Sequence, residues 1–200
     1  EVVVNEMMKV LNIPTASVEL IKQKPNGKDL IDGNVACATA MTYNEYWEIL
    51  SSGVPASDLI VISPDLFQIP HIEDGLYVST NRLNSPVFRD QLVRLTRALR
   101  KGWEEARIAP SLAVEVVQRA APNLHKEHQL HMLESILGII PTSPDQFGFL
   151  DLGKYQQEVS RLLSKAEDKK VPDRIWTYEI MNDLKHQDGK SAPLTQATKF

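Results

Sequence analysis

The sequence predicts an α/β chain with strands and helices alternating at the front and a helical back half. Three observations carry this. The runs 35–41 (VACATAM) and 59–62 (LIVI) are apolar without a period of two, as strands covered on both faces are. Residues such as Gly33, Gly53 and Pro64 punctuate them. From Phe88 onward the apolar spacing changes to that of helices, and a βαβ-type front joined to helices is the α/β pattern.

Taken in order, residues 1–11 (EVVVNEMMKVL) place apolar groups at 3, 4, 7, 8 and 11, the spacing of a helix face. Asn12 and Pro14 end that helix, because proline cannot continue it and restrains its predecessor. Residues 17–22 (SVELIK) alternate as a half-buried strand does, and KPNG at 24–27 is a turn. A short helix over 28–31 leads through Asp32, Gly33 and Asn34 into the VACATAM strand. A helix over 43–51 follows at once and stops at Gly53. LIVI is the next buried strand, stopped at Pro64, and 75–80 (GLYVST) is a further one.

Phe88, Leu92, Leu95, Leu99, Trp103 and Ala106 then trace one helical stripe, with Arg94, Arg97, Arg100 and Lys101 mostly on the other faces. Residues 110–120 and 126–139 read as two more amphipathic helices. Pro141, Pro144 and Gly148 mark a loop, and helices are expected over 154–166 and 173–184. The polar end from 185 is expected to be loosely held.

Two hundred residues allow one domain or two small lobes with a real core. With 42% hydrophobic and 24% charged residues, the composition is that of an ordinary soluble globular protein. A formal charge of -4 gives nucleic acid no reason to bind, since phosphate contacts need clustered Lys and Arg. The apolar runs fall short of a bilayer span. The single cysteine, Cys37, excludes an internal disulfide, which suits the cytoplasm and equally a bacterial periplasm. The opening Glu1, without an initiator Met, reads as that of a mature or trimmed chain.

The strongest local signal is ATAMTYNEYW (38–47), where a buried strand runs straight into polar and aromatic residues. The change puts Thr42, Tyr43 and Asn44 at the carboxyl end of a strand and the start of a helix, an edge where open α/β sheets bind ligands. Free N–H groups at the helix start favour acceptors or anions. A second reading makes Thr42 the N-cap, with Glu45 closing a capping box. Capping accounts for Thr42 and Glu45 and leaves Tyr43, Asn44, Tyr46 and Trp47 unexplained. Glu45 argues against a purely anionic ligand, because a buried carboxylate wants a donor or a cation.

Other candidates are weaker. His125, His128 and His131 carry helical spacing, but helical zinc pairs use i, i+4 with a distant third ligand, so a solvated helix start is the better account. Cys37 inside VACATAM reads as a small core residue rather than a nucleophile, which needs a basic, partly open setting. The charge run 165–170 (KAEDKK) reads as a solvated helix end. Trp103 and Tyr77 could reach a ligand, with core packing the better account of Trp103. No nucleophile elbow, Walker loop or dinucleotide fingerprint is present. No metal or cofactor is expected.

Several pieces in this order resemble one family. DGNVACATAMTYNEYW (32–47) is similar to the segment of periplasmic substrate-binding proteins of the thiamine-pyrimidine-precursor, taurine and nitrate type, in which a sheet strand ends in a Met-Thr-Tyr-Asn-Glu turn. GLYVST (75–80) resembles the strand that follows, and the stretch from Phe88 to Trp103, Glu104, Glu105 and Ala106 resembles the family's long helix. Gly148, Phe149, Leu150 and Asp151, then Tyr155 and Gln156, Val171, Pro172 and Asp173, and Trp176, Thr177 and Tyr178 resemble its closing segment.

The resemblance implies a two-lobed, periplasmic-binding-protein-like (type II) α/β fold that closes over a small molecule. The front part of the first lobe, with its glycine-rich turn, would precede Glu1. It divides the chain into a second-lobe portion over 1–63, a return to the first lobe over 64–184 and a polar tail over 185–200. It implies a periplasmic or extracytoplasmic solute-binding protein serving the membrane permease of an ABC transporter, with a thiamine-precursor-like, amine- or sulfonate-containing ligand. Thr42, Tyr43, Asn44 and Glu45 would face the cleft: Asn44 and Glu45 bonding the ligand, Tyr43 stacking on or capping it, Thr42 orienting the helix start. The alternatives in the family are a sensing domain fused to a membrane histidine kinase or diguanylate cyclase, and a pyrimidine synthase. The synthase's cysteine-rich motif is absent here, so a non-catalytic role is expected.

Overall fold

The computed structural model describes residues 2–69, 72, 75–143, 146–163 and 175–189. Their architecture is built on the helix α4, Pro86–Ile108. Ser85 starts it by accepting the Phe88 N–H on its Oγ at 3.4 Å, and Pro86 supplies the φ a first helical residue needs. Along its length α4 meets α5 (Pro110–Ala120), α6 (Lys126–Ile139) and α8 (Glu179–Gly189). The helices α5 and α6 pack as a hairpin, and α6 carries α3 (Glu45–Ser51), which in turn meets α2 (Lys28–Ile31). The remaining helices are α1 (Val2–Val10), which packs on the 3-10 turn Pro64–Phe67, and α7 (Leu152–Leu163).

The contact of α4 with α8 combines apolar and ionic parts. Val93 and Leu184, each 1% exposed, pack with Met181, and Phe149 and Ile180 lie against them. Around this centre Arg89 pairs with Asp183 at 2.6 Å and Glu179 at 3.1 Å. Arg97 and Arg100 converge on Asp188 at 2.9 and 2.6 Å. Asp188 sits in the last turn of α8, where the negative end of the helix disfavours a carboxylate; the two guanidiniums reverse that preference. On the other side of α4, Arg107 donates to Leu137 O at 3.1 Å and Ile140 O at 3.0 Å, closing carbonyls that the end of α6 leaves without partners.

Among the described residues there is no β-strand, which overturns the expected α/β class and with it the two-lobed type II architecture. The segments 17–22, 35–41, 59–62 and 75–80 form no ladder; apart from the 3-10 turns that touch Ser17 and Thr80, none of them is in regular structure. Many of their apolar side chains stand in water, Ile60 at 90% exposed and Tyr77 at 87%, while Val35, Leu59 and Val78 are partly buried. A strand is a property of a pair, since its N–H and C=O groups are satisfied by a neighbour. An apolar run states only half of that requirement. What joins 17–24 to 35–41 is a side chain. The Gln23 carboxamide accepts the Thr39 N–H at 2.9 Å and donates to Thr39 O at 2.7 Å, and the Thr39 hydroxyl donates to Gln23 Oε1 at 2.9 Å.

The helices follow the sequence more closely. The expected bounds of α2, α5 and α6 are those observed. Gly53, at φ +99°, terminates α3 by adopting the left-handed region that glycine enters without strain. Gly27 is needed for space, because a Cβ there would lie 2.5 Å from Ile49 Cγ1 where α2 meets α3. The helix α8 begins later than expected and continues to Gly189, so residues 185–189 are helical rather than a loose tail. Pro144, the charge run 165–170, the expected helix residues 164–166 and 173–174, and the motif residues Val171, Pro172 and Asp173 lie outside the described residues.

Burial pushes the Asp188 carboxyl up, but the hydrogen bonds from Arg100 and Arg97 outweigh it and hold the group below its ordinary value. A carboxyl whose folded pKa is depressed contributes stability above its unfolded pKa of about 3.9 and loses it as pH falls through the folded value. Asp188→Asn is therefore expected to lower unfolding free energy by roughly 1–2 kcal/mol at pH 7. In urea titrations the gap between variant and parent should narrow as the pH is taken below about 4.

Candidate functional site

The turn at 41–44 and the helix behind it form a braced unit. Met41 O accepts the N–H groups of Asn44 at 3.1 Å and Tyr46 at 3.3 Å, and Asn44 O accepts those of Trp47 and Glu48 at 2.9 and 3.1 Å. The Glu45 carboxylate folds back to accept the Met41 N–H at 2.9 Å. Glu48 accepts the Gly27 N–H at 3.4 Å, tying α3 to the start of α2.

The capping box of the second reading does not form. Asn44, at φ -133° and ψ -87°, is the residue that precedes the helix, and no side chain caps it. Thr42 lies outside the helix and is exposed. Early N–H groups of the helix, expected to be free for a ligand, are taken by Met41 and Asn44 carbonyls.

The polar and aromatic residues that capping leaves unexplained turn toward α6. Asn44 Oδ1 lies 2.9 Å from His128 Nε2, which makes His128 the donor through that nitrogen. The Trp47 indole lies over the His131 imidazole, centroids 4.2 Å apart and planes 7° from parallel. Its Nε1–H donates to Ser135 Oγ at 3.1 Å, and Tyr46 meets its edge at 5.9 Å and 68°. Positions 44 and 47 on one side thus meet 128, 131 and 135 on the other, each set at helical spacing. An indole with its N–H satisfied and its face covered is a well-anchored packing group.

This arrangement also places the histidines. His128 and His131 are partly buried against α3 rather than solvated, while His125 is exposed at the start of α6. Among the described residues no group of three His, Cys, Asp or Glu side chains is set to hold a metal. Cys37, expected in a core, is exposed. Of the four expected site residues, Asn44 and Glu45 serve first as braces, Thr42 is exposed and Tyr43 is partly buried.

Two surface hollows of the described residues lie elsewhere. One is lined by Glu115, Gln118, Arg119 and Pro122. The other, of about 200 Å³, lies between the ends of α4 and α6, with Trp103 in its wall. Sequence reasoning had placed Trp103 in a core stripe; the signal that could have found the cavity is the pair Arg100 and Arg107 flanking that tryptophan at one-turn spacing.

No family model, curated protein or solved structure matches the chain. The family resemblance is one of sequence motifs alone, without the α/β fold it implied. No helix among the described residues is long and apolar enough to cross a membrane.

The contact between α3 and α6 makes a specific energetic prediction. In a double-mutant cycle on Trp47→Ala and His131→Ala, the stacked pair should show a coupling of about 0.5–1.5 kcal/mol. Strict additivity of the two losses would mean that the rings do not pack on one another in solution.

Proposed function

We propose that this chain is a non-catalytic binding protein for a small polar molecule, contacted at the Thr42, Tyr43, Asn44 and Glu45 turn. The observation that carries the reading is the bracing of that turn. Glu45 holds its start and Asn44 fastens its end to His128. A turn fixed before the ligand arrives loses little conformational freedom on binding.

The bracing also leaves groups to offer. Thr42 is exposed, the Asn44 carboxamide keeps its N–H donors, and Glu45 keeps its second oxygen. Donors beside a carboxylate select a molecule that both accepts and donates, such as an aminopyrimidine of the thiamine-precursor kind, over a bare anion. The motif resemblance supports the rest of the reading: capture outside the cytoplasm and delivery to a membrane permease. The lobe closure that the resemblance carried belongs to the two-lobed architecture and is not part of this proposal.

Glu45→Gln separates bracing from binding, since the amide oxygen can still accept the Met41 N–H while the charge is gone. Native mass spectrometry of the purified protein is expected to show a bound small molecule in the parent, and at least about tenfold less of it in Glu45→Gln. Equal retention of the molecule in the parent and in Glu45→Gln, or a parent that carries and takes up no aminopyrimidine or other small amine, would overturn the assignment.

A further inference from the structure

The turn that opens α2 brings together the parts of a reaction the chain can carry out on itself. Asn26 is the one asparagine of the sequence that a glycine follows. Its Oδ1 accepts the Lys28 N–H at 3.2 Å, which folds the carboxamide back over the next peptide as an Asx turn. The hydrogen-bonded ring so closed contains the Asn26 carboxamide carbon, the Gly27 nitrogen and every other atom of the five-membered succinimide that the two would form. Gly27 carries no side chain to hinder that nitrogen.

The same contacts supply the groups such a reaction needs. The Lys28 N–H sits on Oδ1, where negative charge develops when the carboxamide carbon is attacked, as an oxyanion donor does. Glu48 Oε2 accepts the Gly27 N–H at 3.4 Å, so a carboxylate stands against the proton that the nucleophile must lose. Gln23 Nε2 donates to Asn26 O at 3.3 Å, on the carbonyl of the same peptide, and polarising that carbonyl makes its N–H a better acid. Electrophile, nucleophile, donor and base thus converge on one peptide bond.

We infer that Asn26 is a self-modification site, at which the Gly27 nitrogen attacks Asn26 Cγ with Glu48 as the base. The new N–Cγ bond forms, and the Gly27 proton passes to Glu48 and from it to the carboxamide nitrogen. That nitrogen leaves as ammonia when the Cγ–Nδ2 bond breaks. Water then adds to one or other carbonyl of the succinimide and opens it, to aspartate or to isoaspartate with the main chain rerouted through the side chain. Nothing is oxidised or reduced. The product matters because of where it lies. A Cβ on Gly27 would already stand 2.5 Å from Ile49 Cγ1, so the extra backbone methylene of isoaspartate has no room, and the new carboxylate comes beside Glu48. Conversion therefore loosens α2 from α3, the helix behind the Thr42 turn. The inference does not rest on the binding proposal.

The test is to hold the folded protein in heavy-oxygen water at about pH 7 and map its peptides by mass. Asn26 should lose its amide and gain one solvent oxygen, in both aspartyl and isoaspartyl forms, and the converted chain should melt at a lower temperature than the parent. Glu48→Gln keeps an oxygen for the Gly27 N–H and removes the base, and should slow the conversion about tenfold or more. A second reading needs no substitution. With a carboxylate as base, the rate in the folded chain should be nearly flat between about pH 6 and 8, whereas in a free peptide of residues 22–29, which relies on hydroxide, it should climb with pH. The inference is overturned if Asn26 stays intact in the folded chain, if Glu48→Gln converts as fast or faster, or if the folded chain follows hydroxide as the peptide does.

Discussion

Among the described residues, Val93 and Leu184 are the large side chains most completely withdrawn from water, and they meet where α8 lies on α4. Most of what the protein positions depends on that contact. With α8 in place, its acidic residues Glu179, Asp183 and Asp188 meet the arginines of α4, and α4 becomes a rigid axis. From that axis Arg107 reaches the end of α6, and α6 in turn supplies His128, His131 and Ser135, against which the Thr42 turn is braced. The order of dependence runs from an apolar contact through oriented charge to the polar surface that a ligand would see.

Arginine performs more than one task along this chain of dependence. At Asp188 two guanidiniums offset a helix dipole, and at the end of α6 a third satisfies orphan carbonyls. Its planar fork suits both tasks, where a lysine would bring a single point charge. Much of the specificity of the helical half therefore lies in where α4 places its arginines, with a small set of buried apolar residues underneath.

The helices were legible because their signals are local. Pro110 opens α5 and the apolar spacing of 126–139 runs the length of α6, so both are readable without knowing what they touch. The strands were not, because VACATAM and LIVI state an appetite for burial without naming a neighbour. In the structure the Gln23 carboxamide does part of what a neighbouring strand would do for Thr39, and no pattern of hydrophobicity announces such a substitution. At the candidate site the residues were visible and their partners were not. Asn44 and Trp47 were conspicuous as polar and aromatic groups in an apolar context. That they answer to His128, His131 and Ser135, more than eighty positions later, is a long-range fact.

The central claim is a helical framework on α4 whose apolar extended segments carry no ladder, and backbone nuclear magnetic resonance reads it residue by residue. Amide exchange and cross-strand proximity should be measured at 35–41 and 59–62 in the same sample as α4. The account predicts slow exchange in the middle of α4, fast exchange over 59–62 and at the amides of 35–41 other than Val35, Thr39 and Met41, which bond Asp29, Gln23 and Glu45, and no backbone proximity between either segment and another strand. Protected amides with cross-strand contacts at 35–41 or 59–62 would contradict it.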